Sequence, residues 1–167
     1  MLKFVDFRVC FQEVPDEVSL CINLSGCPHK CKGCHSPYLQ EDVGTPLTEE
    51  KLDEMISSNK GITCVCFMGG DNDLPALHTL SKYVKEHHHL LTAWYTGLVL
   101  SPRIDRTILQ FFDFLKTGPY IESLGPLTSR KTNQIFYTKG SAMKKMDANP
   151  HMWYDTTDKF WKDDTNS

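Results

Sequence analysis

Residues 62–97 read ITCVCFMGGDNDLPALHTLSKYVKEHHHLLTAWYTG. The stretch opens on a continuous apolar run, ITCVCFM, the pattern of a strand covered on both faces in a parallel sheet. LPALHTLSKYVKEHHH follows, with Leu77, Leu80, Ser81 and Val84 at helical spacing. A second buried-strand run, LLTAWYT, closes it. Strand, helix and strand in this order form a βα unit and predict a parallel pair.

The same alternation extends outward. Upstream, TPLTEEKLDEMISSNKG reads as a helix with Thr48 as N-cap, Glu49 and Glu50 at its positive end, and Gly61 as its stop. Leu52, Met55 and Ile56 form its apolar face. LKFVDFRVCF and EVSLCINL are β-rich runs separated by a turn at Pro15 and Asp16, and predict an opening strand pair. Downstream, SPRIDRTILQF reads as a short helix opened by Pro102, and FFDFLK as a further strand. Beyond about Thr117 the pattern breaks into loops and short strands. The expectation is an α/β chain with a mostly parallel sheet and a single domain over residues 1–167.

Composition narrows the function. Apolar residues make up 40% and charged residues 23%, ordinary globular usage. A chain of 167 residues buries roughly 70% of its unfolded surface. The formal charge of −3 lacks the basic footprint of a nucleic-acid binder. No apolar run approaches the ~20 residues of a membrane span, and the start, MLKFVDFRVCFQEV, lacks the apolar core of a signal peptide. A cytoplasmic protein is expected. Seven cysteines are too few for a disulfide scaffold, and clustered cysteines in a reducing compartment point to metal or redox chemistry. Cys10, Cys21, Cys64 and Cys66 lie in apolar strand-like runs and read as buried small hydrophobes. The Cys64–Cys66 pair is read as facing opposite sides of its strand, and is set aside as a site.

The other three cysteines, Cys27, Cys31 and Cys34, sit in SGCPHKCKGCHSPY, residues 25–38, spaced C-x3-C-x2-C. A structural zinc site closes with four ligands. His29 or His35 offers a fourth, but both lie inside the same tight loop. A four-iron, four-sulfur cluster usually takes four cysteines. Held by three, it leaves one iron open to a ligand from outside the protein, and an open position marks a catalytic site.

This loop resembles that of the radical S-adenosylmethionine (SAM) enzymes. GCPHKCKGCHSP is similar in particular to the branch that activates anaerobic ribonucleoside-triphosphate reductase, whose pattern is G-C-x-H-x-C-x-G-C-x-N-P. Gly26, Cys27, His29, Cys31, Gly33, Cys34 and Pro37 match it, and Ser36 replaces the usual Asn. CFMGGDNDLPAL resembles the G-G-E motif, with Asp71 in place of Glu. AWYTG resembles the branch's YTG stretch, KTGPY its D-G-P-[FY] segment with Lys116 in place of Asp, and TSRKTNQ its S-x-N-Q segment with Asn133 and Gln134. The likeness covers about residues 1–140 and leaves 141–167 unassigned.

The resemblance implies a compact, incomplete (β/α) barrel. It implies a 4Fe-4S cluster on Cys27, Cys31 and Cys34, and SAM bound by Gly69, Gly70, Asp71 and Thr96. No protein side chain is assigned as catalytic. The implied reaction is reductive cleavage of SAM that leaves a glycyl radical on the anaerobic (class III) reductase, with a flavodoxin-like electron donor, no nucleic acid and no membrane. Two alternatives remain: radical SAM chemistry on another glycyl-radical enzyme or a small molecule, and a zinc-stabilised interaction module. GGD also has a plainer reading, a strand-to-helix turn with Asp71 or Asp73 as a cap. The histidines at 87–89 suit a helix C-terminus, and Asp155, Asp158, Asp163 and Asp164 read as a solvated surface.

Overall fold

A computed structural model describes residues 1–161; Asp163 and Asp164 lie outside the described residues. Eight strands form one sheet: β1 (Lys3–Cys10), β2 (Ser19–Leu24), β3 (Thr45–Pro46), β4 (Cys64–Met68), β5 (Leu91–Tyr95), β6 (Phe114–Thr117), β7 (Ile135–Lys139) and β8 (Trp153–Asp155). Their order across the sheet is β3-β1-β2-β4-β5-β6-β7-β8. Two α-helices are present among the described residues, α1 (Glu49–Ser58) and α2 (Leu74–Tyr83).

The expected mostly parallel, incomplete (β/α) barrel is not what forms. The sheet is mixed and mostly antiparallel: β1–β2, β1–β3, β6–β7 and β7–β8 are antiparallel, and only β2–β4, β4–β5 and β5–β6 are parallel. The reason lies in the connections. A parallel neighbour requires a crossover; helices supply it from β2 to β4 and from β4 to β5, the turns of residues 96–113 supply it from β5 to β6, and the remaining connections return antiparallel. The helix expected over SPRIDRTILQF is absent. The segment makes separate turns, with Ile104 and Asp105 N–H both donating to Ser101 O (3.0 and 2.8 Å) and Phe112 N–H to Leu109 O (3.1 Å). Asp105 N–H to Ser101 O and Leu109 N–H to Asp105 O (3.2 Å) are isolated helical bonds that do not propagate, and Asp105 Oδ2 caps the first turn at Ser101 N–H (2.8 Å).

The helices cover one face. Leu20, Ile22, Val65, Phe67, Trp94 and Leu115 point toward Leu52, Met55, Leu77 and Leu80. Thr48 caps α1 by accepting from Lys51 N–H (3.1 Å). α2 runs into a π-helical turn over Val84–His88, where His87 stacks on Tyr83 and His88 Nε2 meets Asp53 (2.7 Å). The other face carries Cys21, Cys64, Cys66, Ala93, Phe114 and Phe136 under Val14, Leu127 and Phe160. Cys64 and Cys66 thus share one face, as residues two apart in a strand must; the expectation of opposite faces is corrected. Cys21, Cys64 and Cys66 are buried, and Cys10 is half-buried beside them. The segment beyond residue 140 packs back on the sheet, Phe160 meeting Phe136 edge to face at 4.9 Å. No described helix is long and apolar enough to cross a membrane.

Candidate metal centre

The parallel strands β2, β4 and β5 end side by side, so the loops that follow them gather at one edge, as in open parallel sheets generally. The loop after β2 carries the cysteines. Its base is closed by Gly26 N–H to Glu41 O (3.0 Å) and Cys27 N–H to Leu39 O (2.9 Å), and Ser25 Oγ donates to Val43 O (2.5 Å). Within it, Cys34 N–H donates to Cys31 O (3.2 Å). Cys27, Cys31 and Cys34 are free thiols and half-buried. Burial pushes the Cys27 thiol up, opposed by the backbone of His29, and the thiol donates to His29 O (3.6 Å). Among the described residues no three His, Cys, Asp or Glu side chains converge as around a metal ion.

The loop after β4 is Gly69–Asp73. Gly69 and Gly70 have φ of +111° and +97°, a region open to glycine and strained for other residues. This backbone sends Asp71 inward, where its side chain is 3% exposed. Asp71 Oδ2 meets His29 Nε2 at 2.6 Å and accepts from Gly97 N–H at 3.0 Å. Its Oδ1 is buried without a hydrogen-bond partner. Asp73, two residues on, is the actual cap of α2, accepting from Ala76 N–H (3.2 Å). The capping role thus belongs to Asp73, and Asp71 is left to hold the cysteine loop against the end of β5.

Gly97 makes this contact possible. A Cβ there would stand 2.7 Å from the His29 ring. Thr96 is buried, and its hydroxyl accepts from Leu98 N–H (3.0 Å). Its carbonyl accepts from Lys116 Nζ (3.0 Å), which also donates to Gly118 O (3.2 Å). Burial holds the Lys116 ammonium down to about 8, against the attraction of Asp71 and the three loop cysteines. The segments around Gly118 and Asn133 join directly: Asn133 Nδ2 donates to Pro119 O (3.0 Å) and Gln134 Nε2 to Gly118 O (3.3 Å). His35 packs against Tyr120 with centroids 5.1 Å apart.

These elements enclose a cavity of about 820 Å³, lined among others by Cys34, His35, Met68, Tyr95, Lys116 and Gln134. All five stretches singled out in the sequence therefore meet around one site. Sequence reasoning missed that His29 binds Asp71 and is committed to it, leaving the cysteines without a histidine partner from that position. It also missed Lys116 as the cation of the site, although a lysine amid apolar strand residues was a visible signal.

Three thiols on one loop beside a cation suit a cluster better than a lone ion, because the ammonium offsets the negative charge of a thiolate-bound cluster. Comparison with known proteins agrees. The family described as "4Fe-4S single cluster domain" matches residues 17–142, about three quarters of the chain and every strand of the sheet but β1 and β8. No curated protein and no solved structure gives a significant match. With the match spanning the cysteine loop and the carboxylate that anchors it, the chain belongs to the 4Fe-4S single cluster domain family.

Proposed function

We propose that this protein is an activating enzyme that holds a 4Fe-4S cluster on Cys27, Cys31 and Cys34 and binds SAM at the iron the protein leaves open. It generates a glycyl radical on an anaerobic ribonucleoside-triphosphate reductase, with its electron drawn from a flavodoxin-like donor. One observation carries the reading. Asp71 Oδ1 is a buried carboxylate oxygen without a partner, at the point where the cysteine loop, the GGD turn and the end of β5 converge. A buried, unpaired acceptor is costly unless a ligand satisfies it, and an ammonium such as that of SAM does so.

The cluster, when bound, supplies the electron that breaks a carbon–sulfur bond of SAM and so starts the radical chemistry. The chain's own groups bind, orient and shield. Cys27, Cys31 and Cys34 supply only three ligands. His29 fixes the loop to Asp71, and Asp71 presents its spare oxygen. Gly69 and Gly70 form the positive-φ turn, packed against Leu24 and Leu77, that sends Asp71 inward. The cavity, of a size typical for small-ligand sites, gives SAM room beside the cysteine loop. The support comes from this loop and carboxylate and not from the sheet, which is not a (β/α) barrel.

A second reading has a specific observation in its favour. Lys116 places a buried cation in the cavity wall, which suits a small anionic substrate in place of a protein glycine. Anaerobic incubation with SAM, reductant and candidate reductase, followed by electron paramagnetic resonance (EPR), separates the two. A glycyl radical on the reductase supports activation. SAM cleavage without that radical favours the small-molecule reading, and no cleavage with one tightly held zinc overturns both.

A further inference from the structure

A second hollow, of about 640 Å³, lies between the turns of residues 101–110 and strands β7 and β8. Tyr137 and Trp153 belong to the helix-side core, so this hollow opens on the opposite face of the sheet from Cys34 and Lys116. Three permanent cations line it, Arg103, Arg106 and Lys139, with His151 beside them, and no carboxylate is among the lining residues. Among the described residues none of the four is ion-paired. Asp105, the nearest acid in sequence, is turned to Ser101 N–H, and Asp155 to Thr157.

In a chain of net charge −3, uncompensated cations around one hollow are a local field of the opposite sign. Their mutual repulsion is relieved by a polyanion. Arginine forks match phosphate oxygens. The same hollow is lined by two half-buried rings, Tyr137 and Trp153, each packed against the helix-side core. The aromatic surface these rings leave in the hollow suits contact with a nucleobase, and the volume suits a small ligand.

We propose that this hollow is a nucleotide site, taking the phosphates on Arg103, Arg106 and Lys139 and the base against Trp153 and Tyr137. It is separate from the cysteine site and does not depend on the function proposed for it. The test is calorimetric titration of the full, anaerobically prepared chain with ATP, inorganic tripolyphosphate and adenosine, each with and without SAM. ATP is expected to bind more tightly than tripolyphosphate or adenosine, unaffected by SAM. The double variant Arg103→Ala/Arg106→Ala, altered only at exposed side chains, should lose about tenfold or more in ATP affinity with its melting temperature unchanged. Equal binding of ATP and tripolyphosphate would reduce the hollow to a phosphate site and overturn the nucleotide assignment. Competition between ATP and SAM, undiminished ATP binding by the double variant, or no binding at millimolar ATP would each overturn it too.

Discussion

Replacing Asp71 probes the site at its junction. Its Oδ2 takes two hydrogen bonds, from His29 at 2.6 Å and Gly97 at 3.0 Å, in a position where the side chain is 3% exposed. Asp71→Ala removes both and leaves Gly97 N–H without its acceptor. Bonds to a buried carboxylate are worth about 1.5–3 kcal/mol each, and relief of the unpaired Oδ1 offsets part of the loss. The net cost should be about 2–3 kcal/mol, or a fall of about 4–12 °C in melting temperature for a chain of this size. Freed from its anchor, the cysteine loop should also retain less iron. Asp71→Asn separates anchoring from ligand binding. Its amide oxygen still accepts from Gly97 N–H, so the fold should lose only about 1 kcal/mol. The charge proposed to face a SAM ammonium is gone, and SAM affinity should fall roughly ten- to a hundredfold. Melting curves, iron content and anaerobic calorimetry with SAM read the three effects. Unchanged melting and iron content in Asp71→Ala, or unchanged SAM affinity in Asp71→Asn, would refute the reasoning.

Three further outcomes are expected. Alanine at Cys27, Cys31 or Cys34 should abolish cluster loading, whereas Cys21→Ala, buried on the sheet's thiol face, should cost about 1 kcal/mol of stability and leave iron content intact; iron and sulfide analysis beside melting curves distinguishes them. Gly97→Ala should displace the His29 ring, which stands 2.7 Å from the new Cβ, and lower iron retention more than stability. Because burial brings the Lys116 ammonium from 10.5 down to about 8, the unfolded chain holds a proton that the folded chain releases between those values. Unfolding free energy measured by denaturant should therefore rise from pH 8 to 10.5 relative to Lys116→Met, and parallel curves for the two proteins would contradict it.

The site was more legible in the sequence than the sheet around it. Cysteine spacing and the GGD, YTG and Asn133–Gln134 stretches are local patterns; the first three fall at one edge of the sheet because they follow parallel neighbours, and Asn133–Gln134 falls there because it opens the antiparallel return strand β7. The βα units of residues 45–97 were legible for the same reason, since apolar runs and Thr48 capping are written locally. The flanks were not. Whether β7 returns antiparallel to β6 depends on what fills the connection, and nothing in GPYIESLGPLTSRKTNQ states that it contains no helix. At SPRIDRTILQF the helical spacing was present, but the backbone bonds form only separate turns, Ser101 to Asp105, Asp105 to Leu109 and Leu109 to Phe112. The His29–Asp71 pair joins residues 42 positions apart, a contact that no single-chain pattern encodes. The Cys64–Cys66 reading failed on geometry that the sequence did contain, since residues two apart in a strand share a face.

The most direct test of the account is the EPR spectrum of the anaerobically reconstituted, reduced protein before and after SAM is added. A 4Fe-4S signal that changes on SAM addition, with methionine released on turnover, is the predicted result. A reduced cluster whose spectrum is indifferent to SAM, with no methionine formed, would contradict the claim that three cysteines leave an iron for the substrate.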